Sequence, residues 1–459
     1  MAAVVKPRVL ILGADNCLAL DVHSSGLILH PESRESNYLG MTGSVYFGIF
    51  CGKANIAKME RIQYRALKFV YNDFQSSYQT LLERAGLQTL EMSRNRDLLV
   101  EVYKSVNKLS PSFMWDLYKE KNVRVADKVP PQTAWLNPKH KEVFSKVEFK
   151  SANLINEASV ERCFQDDDGE FDIVVNAAAE TKYGQSEPVY KDGIVKLSLN
   201  CAREAAKRKV KKYLEISTGQ VYAADKKASA ESSKVSPWTH MAKHKLEVEK
   251  ELSKIDGLNY IIVRPAITYG LGDKNGIMPR IVVAAIYKHL KETMKLLWSK
   301  DVRMNTVHVV DVCRAIWHLT MNGKRGDIYN VVDNSSSTQG TISDIISRIF
   351  EIKHDYLGSI VSNIAKITMQ DVVDEGNEKH MDPWSRVCES EGIINTPLSP
   401  FIDQELLYNK HLHLDGCKLQ NTGFTLLHPR MEQEQLQEMI DDYVAMRLFP
   451  ASLVKTAPS

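Results

Sequence analysis

Short aliphatic runs recur along the chain, separated by longer stretches that are amphipathic or rich in helix formers. Residues 8–14 (RVLILGA), 123–127 (VRVAD), 147–154 (VEFKSANL), 171–180 (FDIVVNAAAE), 213–216 (YLEI), 259–272 (NYIIVRPAITYGLG) and 328–333 (IYNVVD) predict strands. Between and after them, residues 200–209 and 243–252 have helical composition, and 342–350 and 436–448 are amphipathic. Strands that alternate with helices predict an α/β fold with a doubly wound parallel sheet of Rossmann type. In such a sheet ligands lie beyond the carboxyl ends of the strands, which draws attention to Ser217 and Thr218 just past YLEI.

One region breaks the alternation. Residues 24–37 are punctuated like a loop, and 39–122 carry helical spacing at Asn55 to Tyr71 and Thr89 to Leu109. This predicts a helical insert after the first strand. The expected organisation is residues 1–38 as first strand and linker, 39–122 as insert, 123–335 as the rest of the dinucleotide domain, and 336–459 as a smaller C-terminal substrate lobe.

Composition adds little to that picture. The 459 residues are 44% apolar and 25% charged with a net charge of +2, ordinary for a globular chain. Such a balance does not favour nucleic acid or an anionic membrane as partner. Within 39–122 the 12 Lys and Arg against 8 Asp and Glu leave +4, which reads as a solvated helix face rather than a nucleic-acid site. Seven scattered cysteines without a CxxC pair argue against a disulfide framework or a zinc site and for reduced thiols in a cytoplasmic protein. No apolar run has the length of a membrane span. His411 and His413 form an HxH without a third ligand, so no metal is expected.

The ordered segments Ser217-Thr218 with Val221-Tyr222, Arg264-Pro265 with Tyr269-Gly270, His308 to Asp311 and Tyr329 to Asp333 resemble the extended short-chain dehydrogenase/reductase (NAD-dependent epimerase/dehydratase) family over about 123–335, and Gly13-Ala14 after the first strand resembles the start of its glycine fingerprint. The wording of 39–122 resembles the segment after the polymerase domain of non-LTR retrotransposon reverse transcriptases. It contains no polymerase carboxylate motif, so only an origin is implied.

The first resemblance implies an NAD(P)-binding oxidoreductase or epimerase/dehydratase acting on a hydroxyl or carbonyl of a sugar-like or sterol-like small molecule. A homodimer is compatible with it. Cofactor-binding residues would be Gly13, Ala14, Asp127, Asn153, Ala177, Ala178, Ala179, Ser217 and Pro265. Asp127, at the end of the second strand, would accept from the ribose hydroxyls and favour NAD over NADP. The fingerprint is damaged, because Asn16 and Ala19 stand where the second and third glycines belong and should crowd the pyrophosphate.

The catalytic set is damaged as well. The family uses Tyr with Lys four residues later, plus Ser or Thr, the ammonium lowering the phenol pKa. Here Thr218 fits the hydroxyl. Counting back from Lys245 the tyrosine position is Met241, and from Lys243 it is Thr239. His240 is the neighbouring group that titrates near neutrality and could take the place of the phenol. His308 and Asp311 are expected to orient a loop and helix. The competing reading is a non-catalytic binding or scaffold protein with the same fold.

Overall fold

The computed structural model describes residues 8–13, 123–166, 169–358 and 369–454, together with Tyr64, Lys68, Ser77, Thr80, Leu81 and Ser362. The chain divides into two compact units, Met1–Gly26 with Lys121–Ser459 and Leu27–Glu120. Of the second unit, Tyr64 and Lys68 are helical, with the Lys68 ammonium 4.3 Å from the centre of the Tyr64 ring. The remainder of the expected helices at 55–71 and 89–109 lies outside the described residues, as do Ala14, Asn16 and Ala19.

In the first unit the strands are β1 Val9–Leu12, β2 Val123–Asp127, β3 Glu148–Ser151, β4 Ile173–Asn176, β5 Lys212–Ile216, β6 Tyr260–Pro265, β7 Ile267–Tyr269, β8 Met294–Leu296, β9 Thr306–His308, β10 Ile328–Val331 and β11 His354–Tyr356. Seven of them form one parallel sheet in the order β10-β6-β5-β4-β1-β2-β3. This is the α/β doubly wound arrangement. Successive strands step outward from β1 in one direction and then in the other, so the crevice opens at the carboxyl ends of β1 and β4.

The aliphatic character of the strands follows from burial on both faces. Val9 and Ile11 join one core while Leu10 and Leu12 join the other, as side chains alternate across a pleated strand. The first core is closed by α1 (Pro138–Phe144) and α6 (Val309–Asn322), through Phe144, Val312, Ile316 and Leu319. The second is closed by α2 (Glu157–Phe164), α3 (Leu197–Lys207) and α4 (His240–Leu252), through Phe164, Ala202 and Val248.

A third core belongs to a lobe built from α5 (Met278–Leu290), α7 (Gln339–Phe350), α8 (Met369–Ser390) and α9 (Gln433–Ala445). This core also takes in α5 and Met294, which precede residue 335. After β7 the chain leaves the sheet, builds the first helix of the lobe, then returns through β9 and α6 to place β10 on the sheet edge. The lobe is therefore assembled from two separated stretches. No helix among the described residues is long and apolar enough to cross a membrane.

Candidate active site

At the switch point the turn after β1 is tightly constrained. Gly13 has φ +87°, and a Cβ there would lie 2.4 Å from the Ala178 Cα, so the turns after β1 and β4 touch backbone to backbone. Gly13 N–H donates to the Ala126 carbonyl at 2.9 Å, which sets it beside Asp127 at the end of β2. The Asp127 carboxylate accepts from the Val129 amide at 2.8 Å. Asn153, by contrast, is exposed, and its side chain accepts from the Ile155 amide in the turn after β3.

A cavity of about 470 Å³ opens beyond the ends of β4, β5 and β6, and Ala177, Ala179, Ser217, Thr218, Lys245 and Pro265 line it. Four of the expected cofactor positions and two of the expected catalytic groups, from four separated stretches, thus meet there. Met241 also lines the cavity, whereas Lys243 is exposed and does not. A spacing of four returns Met241 and Lys245 to one face of α4.

Lys245 is buried and its ammonium is already engaged. It donates to the Ile216 carbonyl at 2.6 Å and lies 3.5 Å from Glu215. Glu215 is fully buried in β5 and is held by Asn176 Nδ2 at 2.8 Å, Ser198 Oγ at 2.9 Å and Tyr213 OH at 2.9 Å. A charge in this position needs such partners, since burial without them is prohibitive. Burial lowers the Lys245 pKa, and the Glu215 carboxylate opposes that shift. An ammonium has three donors, so a donor remains toward the cavity.

Ser217 donates to Glu249, which is paired with the Arg264 guanidinium through Nε at 2.9 Å and through NH2. Its hydroxyl is thereby tied to the end of β6. Thr218 Oγ1 accepts from the Gln220 amide at 3.2 Å. The Gln220 side chain accepts from Thr239 Oγ1 at 3.0 Å and donates to Tyr183 OH at 3.1 Å. Burial pushes the Tyr183 phenol up to about 12, so it is neutral at pH 7. Tyr183 lines the same cavity and was missed by sequence reasoning, because nothing marks a tyrosine in a loop as cavity-facing.

His240 lies away from the other candidates. It is the first residue of α4, half exposed, stacked on Tyr190 at 6.3 Å, with Glu187 and Glu405 at 3.8 and 3.7 Å. It is not among the residues that line the cavity. The helix begins at His240, three residues earlier than its strongest helix formers indicate, and that start turns the ring to the outer face. Asp311 is buried and accepts from the Leu427 and His428 amides at 2.7 Å each, anchoring a late turn to α6. His308 packs on His428 and Tyr269, and burial lowers its pKa to about 3. Arg303 lines the cavity, and NH1 donates to the Ser336 carbonyl at 3.0 Å. His411 Nδ1 and His413 Nδ1 bond to Arg303 N and the Lys226 carbonyl, and no metal-binding cluster is found among the described residues.

Residues 113–332 match the NAD dependent epimerase/dehydratase family. That stretch is similar to the family over just under half of the chain. The matched stretch leaves out β1, yet β1 is an interior strand of the sheet, between β4 and β2. No curated protein matches the chain. Among solved structures, dTDP-glucose 4,6-dehydratase DesIV of Streptomyces venezuelae, with NAD and TYD bound, is 18% identical with a TM-score of 0.53, covering 78% of this chain and 94% of that one. The dTDP-glucose 4,6-dehydratase of Bacillus anthracis in complex with NAD is 16% identical with a TM-score of 0.51, covering 73% and 91%. UDP-N-acetylglucosamine 4-epimerase of Methanobrevibacter ruminantium is 18% identical with a TM-score of 0.50, covering 70% and 90%. At these identities the likeness is one of fold.

Proposed function

We propose that the epimerase-family domain binds NAD at the switch point and that its hydride chemistry, on a hydroxyl or carbonyl of a small molecule, is strongly attenuated. The observation that carries this reading is Met241, which lines the cavity on the face of α4 that Lys245 shares. The residues fit the cofactor at two places. The Gly13–Ala178 contact and the small Ala177 and Ala179 leave room for a dinucleotide against the backbone, and Asp127 supplies a carboxylate beside Gly13. That carboxylate disfavours a 2′-phosphate, hence NAD rather than NADP.

Bound nicotinamide supplies the hydride acceptor or donor. Thr218 would polarise a carbonyl through its hydroxyl, and Lys245 would offer its remaining N–H to a ribose hydroxyl. A thioether at position 241 holds no proton to give. The same observation favours, as second reading, a binding protein that keeps the cleft and has lost turnover.

Calorimetric titration with NAD and NADP, followed by NADH formation in Met241→Tyr over a panel of sugar and sterol alcohols, tests the proposal. The expected result is NAD binding tighter than NADP binding, with turnover rising by about 10²-fold or more once the acid–base group is restored. Absence of NAD binding at millimolar concentration would sink the proposal. Turnover that is unchanged in Met241→Tyr would remove the catalytic reading and leave the binding protein.

Two further parts of the reading rest on sequence. A cytoplasmic location is supported by the free cysteines Cys163, Cys201, Cys313, Cys388 and Cys417. A retroelement origin of 39–122 rests on the wording of that segment.

A further inference from the structure

The far half of the cavity is lined by α5, α8 and the residues around β8, and its surface is largely carbon: Val283, Leu297, Trp298, Val373 and Leu407. Several polar side chains there are already satisfied. Trp298 Nε1 donates to the Leu407 carbonyl at 2.7 Å, and Asn377 makes both amide bonds to the Ile402 backbone, at 3.0 and 2.9 Å. Gln339 Nε2 donates to the Leu297 and Ser299 carbonyls.

Two side chains differ. The Arg280 guanidinium lines the cavity and makes no hydrogen bond or ion pair among the described residues, the Tyr356 phenol being the group that acts on it electrostatically. Its nearest sequence acid, Asp273, does not neutralise it, because that carboxylate is taken by the amides of Asn275, Gly276, Ile277 and Met278. His380 is only 6% exposed, packs edge-on against Tyr287 at 5.4 Å, and neither ring nitrogen has a partner. An unpaired polar group under that degree of burial is costly, and native structures keep one where a ligand repays it.

Arg280, Val283 and Tyr287 follow one another along one face of α5, a span of roughly 10 Å at 1.5 Å per residue. His380 meets that face at the Tyr287 end. A cation therefore stands at one end of an apolar wall and a hydrogen-bonding imidazole at the other. Lys295 and Lys410 line the exposed rim, so the charge around the opening is positive.

We propose that this half of the cavity binds an apolar molecule with one anionic head group, the head on Arg280, the body along Val283, Trp298 and Leu297, and a polar atom near the tail on His380. It rests on the reading of the cleft as a substrate compartment, and it replaces a polar sugar by a largely hydrocarbon acid. Carboxylate and phosphate both match a guanidinium fork. Burial lowers the His380 pKa to about 4, so at pH 7 the ring offers one donor and one acceptor rather than a second positive charge.

Calorimetry of the full chain with decanoate, decyl phosphate, 1-decanol, acetate and UDP tests this. Decanoate or decyl phosphate should bind roughly tenfold or more tightly than 1-decanol and acetate. Arg280→Met should erase the advantage over 1-decanol, Arg280→Lys should keep part of it, and His380→Phe should leave it intact. Equal binding of 1-decanol, tighter binding of UDP, or an advantage that survives Arg280→Met would overturn the proposal. Circular dichroism checks that Arg280→Met is folded; where it is not, Arg280→Gln takes its place. NAD titration of the same preparations separates the two readings: NAD binding without anion discrimination overturns this inference alone, and anion discrimination without NAD binding removes the dinucleotide reading alone.

Discussion

The two halves of the cavity handle buried polarity in opposite ways. Beside the strand ends, each ionised group has a partner: Glu215 with Lys245, Asn176, Ser198 and Tyr213, and Glu249 with Arg264 and Ser217. On the lobe side, the Arg280 guanidinium has no hydrogen-bond or ion-pair partner and the His380 ring nitrogens have no hydrogen-bond partner among the described residues. The first arrangement holds the sheet and α4 in register. The second is suited to a guest. A residue's charge alone does not tell the two apart; its partners do.

The comparison breaks most readily at Glu215. Glu215→Ala leaves the Lys245 ammonium buried without its counter-charge and should cost about 3–5 kcal/mol, read by denaturant unfolding. Adding Lys245→Met should recover a good part of that loss, since the stranded charge is then gone. A Glu215→Ala chain as stable as the native one would show that the pairing is not what holds β5 to α4.

A middle-sized effect belongs to His380. Its folded pKa, about 4, lies below the ordinary value of 6.5, so the unfolded chain binds the proton more readily. Its contribution to stability is complete above pH 6.5 and is lost as the pH falls toward 4. Between pH 7 and pH 5 the native chain should lose roughly 2 kcal/mol more than His380→Phe does. Parallel stability curves for the two would show the ring to be solvated. Ligand binding at Arg280 should be measured at neutral pH for the same reason.

The smallest effect sharpens the paired side. Thr239 caps α4 through the Ala242 amide at 3.1 Å and reaches Gln220. Thr239→Ala should lower stability by about 1 kcal/mol, measured by thermal unfolding. It should also loosen the Gln220 contact to Tyr183. A neutral result would mean that water replaces the cap.

The strands were readable because a parallel sheet covered on both faces needs predominantly apolar runs, and 9–12, 173–175, 213–216 and 260–263 have them. Thr218, Lys245 and Met241 were readable through spacing. Glu215 was visible in principle: one acid inside YLEI demands a buried cation, and Lys245 was already under suspicion. His240 misled because a titration range says nothing about which side of a helix start a ring leaves from. Arg280 and His380 were not readable, since α5 and α8 are a hundred positions apart in sequence and their meeting depends on how the lobe packs.

Strand β1 has a consequence for how the molecule folds. Its four residues are the link between two groups of strands, β3-β2 on one side and β4-β5-β6-β10 on the other. Val9 pairs with Val123 and with Ile173, each more than a hundred positions later in the chain. Contacts of such sequence separation form slowly, because the entropy of closing the intervening chain is lost before any pairing rewards it. The two groups can each gather around nearer neighbours, and the halves become one sheet only when β1 slides between them. Without β1 in place, the edges of β2 and β4 that it covers are unpaired, and unpaired strand edges are where another chain can add.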